Sequence, residues 1–271
     1  MNFYKLLEEA ITTPDIEIKE NLTQKCFLYC SKNGSISSES FTPILFEKPS
    51  YSDRCTIVDP RELKARKDFD TKEGLGTLIH AITHIEYSAI DLALDAVYRF
   101  PDMPQAYKID WLEVALDEIR HYKMLSSLLA KLEYKYGDFT VHCGLFDASV
   151  HTAKSVLDRM AIIPRYYEAS GLDVNPQIVK KIHNKRKNPI VKELIESLDI
   201  IYEEEITHVQ KGDRWFKYIC DENNLDYSTY FIILEKYKLS SKYRPHLDVK
   251  GRKKAGFSCT EIKKLADVEC D

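Results

Sequence analysis

The sequence predicts an all-α protein whose core is four long helices. Two observations carry this. From Leu75 onward, apolar residues recur at helical spacing, and Pro and Gly fall where those helices should stop or start. A third observation narrows it: nine Gly in 271 residues and no Walker or dinucleotide-binding fingerprint argue against a Gly-rich, phosphate-cradling fold.

Element by element, residues 1–12 read as an amphipathic helix closed by "TTPD". "CFLYC" and "TPILFE" read as short strands with "NGSISSES" as the turn between them, and the stretch from "KPSYSD" to "DTKEG" as extended chain laid over the body. Helices are expected at about 74–100, 104–135, 147–171, 175–185, 189–221 and 226–237. "RFPDMP", "KYGDFTVHCG" and "SGLDVNP" mark the breaks between them. A short last helix, "SCTEIKKLADVE", has Ser258 or Thr260 as its cap. The division expected is an arm, 1–70, a helical bundle, 71–240, and a tail, 241–271.

Composition bounds the function. Hydrophobic residues make up 44% of the chain, enough for a sizeable core, and the net charge of −4 gives no basic field that demands nucleic acid. The start, "MNFYKLLEEAITTP", lacks the basic opening and apolar run of a signal peptide, and no stretch is long and apolar enough to span a membrane. The seven Cys are scattered, with no C-x-x-C pair, and read as free thiols in a reducing, cytoplasmic setting.

The chemistry lies in a repeated pair. "DEIRHYKML" places Glu118 three residues before His121, and "EEEITHV" does the same with Glu205 and His208. At about 100° per residue, Glu86 shares a stripe with Leu75, Ile79, Ile82, Ile90, Ala93 and Val97. Glu118 and His121 share one with Trp111, Val114, Leu125 and Leu129. Glu168 aligns with Val150, Leu157, Ala161 and Leu172, and Glu205 and His208 with Leu194, Leu198, Ile201, Val209 and Phe216. The same wheel turns Glu203 and Glu204 elsewhere. Pro164 can bend its helix and rotate Glu168.

Four inward carboxylates would repel and largely protonate unless a cation joins them. Two divalent ions match their charge. Oxygen and imidazole donors suit iron, with manganese or a mixed manganese–iron pair as alternatives. Positions i and i+3 lie on one side of a helix, so each Glu-x-x-His can supply neighbouring ligands. One such pair alone is usually a surface ion pair. Two of them, each on an apolar stripe and each alternating with a helix that holds one inward Glu, form a di-metal carboxylate pattern. The metal ligands expected are Glu86, Glu118, His121, Glu168, Glu205 and His208.

Other residues are weighed against the same stripes. His80 and His84 are i and i+4, but His84 lies about 200° from Glu86, so both read as packing residues. Arg120, Arg159 and Arg165 are candidates to pair with ligand carboxylates, with surface exposure as the alternative. Tyr122, Tyr166, Tyr167 and Tyr202 flank the ligands and read as aromatic filling, with a redox-active Tyr as the sharper alternative. The basic runs "KKIHNKRKN", 180–188, and "KGRKKAG", 250–256, read as solvated faces or loops, with a phosphate-bearing partner such as RNA as the alternative.

The stretch from about 74 to 220 resembles an uncharacterised ferritin-like family, domain of unknown function 455. The resemblance rests on "HAITHIEYSAIDLALDAVYRF", "DWLEVALDEIRHYKML", "YGDF", "RMAIIPRYYEASGLDV", "EEITHV" and "RWFKYIC", with "RKKAGFS" in the tail. It departs at "HCGLFD", where a more acidic run is expected, and in residues 20–60. The resemblance implies a ferritin-like four-helix bundle with an irregular N-terminal arm and accessory C-terminal helices. It places the same six residues at metal-ligand positions.

The function expected is a di-iron or manganese–iron carboxylate oxidoreductase. It would activate dioxygen against a small-molecule substrate, fed by an electron donor. A tRNA-base hydroxylase is a narrower version. A metal store and a bundle in which metal only holds the core are the non-catalytic alternatives. No membrane partner is expected, and a homodimer is left open.

Overall fold

A computed structural model describes residues 2–32, 36, 41–63, 67–240 and 246–270. Every extended regular element among them is helical, and the only ladder contact is an isolated parallel bridge between Ile57 and Val141. The all-α class is therefore correct. The two expected strands are not. Cys26–Cys30 belongs to a helix, and the segment from Phe41 to Phe46 is irregular. The expected turn "NGSISSES" lies outside the described residues except for Ile36.

The chain divides into two compact units, Met1–Val150 with Asn188–Ser197, and His151–Lys187 with Leu198–Asp271.

In the first unit, α1 (Phe3–Thr12) is capped by the Asn2 side chain and buries Phe3, Tyr4, Leu7, Ala10 and Ile11. Pro14 and Asp15 break the chain, and the Asp15 carboxylate accepts the Glu17 and Ile18 N–H groups to start α2 (Ile16–Lys32). The aromatic run in "CFLYC" suggests a strand. Yet Lys19, Leu22, Thr23, Cys26 and Cys30 are the buried positions, and they follow helical spacing. Lys19 is completely buried. Its ammonium bonds the Ala10 and Ile11 carbonyls that end α1 and forms an ion pair at 2.6 Å with Asp91. Ser50 donates to the other Asp91 oxygen at 2.6 Å.

Asp91 lies on α3 (Lys72–Arg99), which Thr71 caps through the Gly74 N–H. α3 pairs most extensively with α4 (Gln105–Lys131), and α2 packs on α4. The stripe predicted around Glu86 is buried throughout, as is the one around Glu118 and His121. His80 and His84 are indeed packing residues. His80 accepts the Gly137 N–H, while His84 bonds the Tyr136 hydroxyl and the His142 carbonyl. A short helix, α5 (Gly144–His151), follows.

The second unit departs from the expected helix 147–171. The chain breaks at 152–155 and restarts as α6 (Val156–Ile162), with Ser155 as cap. It then widens into a π-helical turn, Ile163–Glu168, and continues as α7 (Ala169–Ile182) through Pro176. The π turn begins around Pro164, which has no N–H to give to an α-helical ladder. α8 (Pro189–Glu222) is the longest helix, and its residues from Leu198 on belong to this unit. Next come α9 (Thr229–Lys236), α10 (Val249–Lys254) and α11 (Cys259–Leu265).

Two buried arginines organise this unit. Arg165 is fully buried, with its guanidinium 4.3–4.8 Å from the ring centres of Phe216, Tyr230 and Phe257. It pairs with Asp213 at 3.0 Å and with Glu261. Arg252 is also fully buried and forks onto Asp173 at 2.7 and 2.9 Å. The run 250–256 is thus not wholly a solvated face. Gly256, at φ +102°, ends α10 in the left-handed region and turns Phe257 inward. The thiol reading also needs correction: Cys259 and Cys270 are disulfide-bonded, while Cys26, Cys30, Cys55, Cys143 and Cys220 are free. No helix among the described residues is long and apolar enough to cross a membrane.

Candidate metal-binding site

In the first unit the structure brings three of the predicted ligands together. Glu86 comes from α3, and Glu118 and His121 from successive turns of α4. Each offers a ligand atom within 4.8 Å of the others. His121 Nδ1 stands 3.2 Å from Glu86 Oε2 and 3.3 Å from Glu118 Oε2. Glu118 and His121 are fully buried, and Glu86 is 5% exposed.

Their electrostatics follow from this crowding. Burial, then the like charge of Glu118, pushes Glu86 up to about 7, against the pull of His121. Burial alone would lower the His121 imidazole, but the two carboxylates beside it hold it high, at about 11. Two carboxylates and an imidazole thus converge on one buried point. That donor set fits a divalent metal ion, which competes with the protons for the same atoms.

The second unit holds the other three. Glu205 and His208 lie one turn apart on α8, with His208 Nδ1 3.5 Å from Glu205 Oε1. His208 is fully buried, and the Glu205 side chain is 14% exposed. Their stripe, Leu194, Leu198, Ile201, Val209 and Phe216, is buried as predicted. Glu168 ends the π turn and is half-buried. Its predicted stripe holds only in part: Ala161 and Leu172 are buried, Leu157 is half-buried and Val150 exposed. The break at 152–155 and the extra residue of the π turn reset the wheel.

The matching of the whole chain to known families decides its kinship. Residues 12–263 match the family model described as "Protein of unknown function (DUF455)". The chain belongs to the DUF455 family. Within reach of that family is a Haemophilus influenzae protein described as an uncharacterized protein. It is 35% identical over 228 residues, which is 81% of this DUF455 chain and 77% of the relative. No solved structure matches.

Around the candidate residues of this DUF455 protein, the arginines divide. Arg120 pairs with Asp117 at 2.7 Å near the surface. Arg159 is fully buried, its Nε bonded to the Thr152 hydroxyl at 2.8 Å. Arg165 is buried against Asp213 and Glu261, so surface exposure fails for both. Tyr122 packs edge-on to Tyr87 and Tyr136, as aromatic filling requires. Tyr202 donates to Asp248.

One feature escaped the sequence reading. Gly212, one turn after His208, faces Pro164 so closely that an added Cβ would lie 2.2 Å from the proline Cβ. A lone Gly inside the helical run "QKGDRWF" is the available signal for such a contact.

Proposed function

We propose that this chain is a two-metal carboxylate oxidoreductase built on a ferritin-like four-helix core. The observation that carries the reading is the buried group of Glu86, Glu118 and His121, whose donors suit a divalent ion. In this reading Glu168, Glu205 and His208 supply the matching second set, and the six residues together hold two ions. Iron is the first candidate, with manganese or a mixed pair as alternatives. Four carboxylates balance four positive charges, which supports two ions rather than one.

When bound, such a pair supplies electron-transfer chemistry toward dioxygen. The protein residues do the rest. Glu118 and His121 hold one ion at fixed spacing from one helix face, and Glu205 and His208 hold the other. Glu86 and Glu168 complete the sets. The apolar stripes around them exclude water, which strengthens each charge interaction. An electron donor and a small-molecule substrate complete the proposed reaction.

The test is elemental analysis of protein purified without added metal. About two iron or manganese ions per chain are expected, with at least one lost in Glu118→Ala and in Glu205→Ala. No bound metal, even after anaerobic addition of ferrous iron, would sink the reading. Full occupancy in both variants would show the ligand assignment to be wrong.

A further inference from the structure

In the second unit, the disulfide stands at the end of a chain of contacts that leads to Glu168. Cys259 is the first residue of α11, and Cys270 closes onto it from eleven residues further on. α11 has seven residues, too few to persist as an isolated helix. Three features hold it: the disulfide, the burial of Ile262, and a capping box between Ser258 and Glu261. Glu261 serves twice. One carboxylate oxygen accepts the Ser258 N–H and hydroxyl, both at 2.8 Å, and the other pairs with Arg165. Burial would raise the Glu261 pKa, but Arg165 and the Ser258 N–H together hold it below the usual carboxylate value.

Arg165 lies inside the π turn, three residues before Glu168. Its carbonyl accepts the Tyr230 hydroxyl at 2.9 Å, and its guanidinium is fixed by Asp213 and three aromatic rings. Asp213 is shared with Lys217 at 2.7 Å, so among the described residues Glu261 is the acid that answers to Arg165 without a competing lysine. Displacing α11 removes half of the counter-charge of a fully buried guanidinium. The π turn then loses one of the anchors that hold it in its unusual register.

We propose that the Cys259–Cys270 disulfide is a redox clamp. It holds α11 so that Glu261 fixes Arg165, and through Arg165 the turn that bears Glu168. As regulation of the metal site, this rests on Glu168 being a ligand; as a conformational device it does not. Opening is thiol–disulfide exchange with a dithiol reductant. A reductant thiolate attacks the half-buried Cys259 sulfur, and Cys270 leaves as a thiolate and takes up a proton. The second reductant thiolate then displaces Cys259. Two protein thiols and one oxidised reductant disulfide result.

The test is hydrogen–deuterium exchange on the full chain, oxidised and after dithiothreitol. The loop closed by the bond is short, and residues 258–265 should exchange about 10- to 100-fold faster once reduced. Residues 163–168 should follow by about three- to tenfold. Glu261→Gln should reproduce the change at 163–168 with the disulfide intact, which separates the coupling from any general loosening. Unchanged exchange at 163–168, while 258–265 speeds up, would reduce the bond to a local staple. Labelling of both cysteines by iodoacetamide without prior reduction would show them to be free thiols and overturn the clamp. Cobalt(II) titration adds the link to the metal site, with about tenfold weaker binding expected for the reduced chain. If neither form takes cobalt, the metal reading falls, while exchange at 163–168 still decides the clamp.

Discussion

Gly212→Ala puts the close approach of α8 to Pro164 under test. Two effects oppose each other. In a helix interior Ala is favoured over Gly by about 1 kcal/mol. Against that, the new Cβ would stand 2.2 Å from Pro164 Cβ and 2.4 Å from its Cγ. Ordinary contact begins at about 3.4 Å, so either α8 or the π turn must retreat by about 1 Å. The obstructing atoms belong to a proline ring, which cannot swing aside. Overpacking of this kind costs about 1–3 kcal/mol, leaving a net loss of up to about 2 kcal/mol. For a chain of this length that is a fall in Tm of up to roughly 8 °C. Gly171→Ala is the control, because nothing lies within 4 Å of an added Cβ there. It should gain about 0.5–1 kcal/mol. Thermal unfolding of the three proteins under one buffer condition reads both signs. A stabilised Gly212→Ala protein, moving with Gly171→Ala, would refute the close contact and with it the account of how the π turn is seated.

Two further predictions concern the first unit. Lys19→Met leaves Asp91 buried without its cation and should cost about 3–5 kcal/mol, most of it recovered in the double variant Lys19→Met/Asp91→Leu; urea unfolding of the single and double variants measures the coupling, and additive losses would deny it. His80 accepts the Gly137 N–H, and burial lowers its pKa from 6.5 to about 4, so it folds neutral. The unfolded chain binds that proton first, so this contribution is present above pH 6.5 and is lost as pH falls toward 4. At pH 5 the loss is about 2 kcal/mol. Comparing urea midpoints at pH 7 and pH 5 checks it, and His80→Gln should flatten the difference.

Where sequence and structure agree, the reason is periodicity over many turns. α3, α4 and α8 each repeat their apolar spacing long enough to define a face, so Glu86, Glu118, His121, Glu205 and His208 could be placed on buried stripes by counting. Where they disagree, a local exception overrides the period. The chain break at 152–155 cuts Val150 off from the helix that leads to Glu168, and Pro164 then converts one turn to π geometry, so the stripe through Val150, Leu157 and Glu168 is not a single face. α2 was read as a strand because "CFLYC" is aromatic and short, while its buried face includes a lysine whose partner, Asp91, lies 72 residues away. No local pattern announces such a partner. The same holds for Arg165 and Arg252, whose acids come from distant segments, and for Cys259 and Cys270, whose spacing matches no familiar motif.

The two sets of proposed ligands differ in a way that bears on how the metals would be reached. Glu118 and His121 are fully buried and Glu86 nearly so, which suits tight holding and leaves little room for exchange. Glu205 retains some exposure, and Glu168 is half-buried at the end of a π turn. Its Oε2 is buried, but its backbone lies outside the regular α-helical ladder, so that turn can rearrange at lower cost than one locked in an α-helical stripe. Under the proposed function, Glu86, Glu118 and His121 would be the rigidly held ligands of the first unit, and Glu168 and Glu205 the less regular or more exposed ones of the second. The redox clamp acts through the turn that bears Glu168, the one proposed ligand position whose backbone is π-helical rather than α-helical.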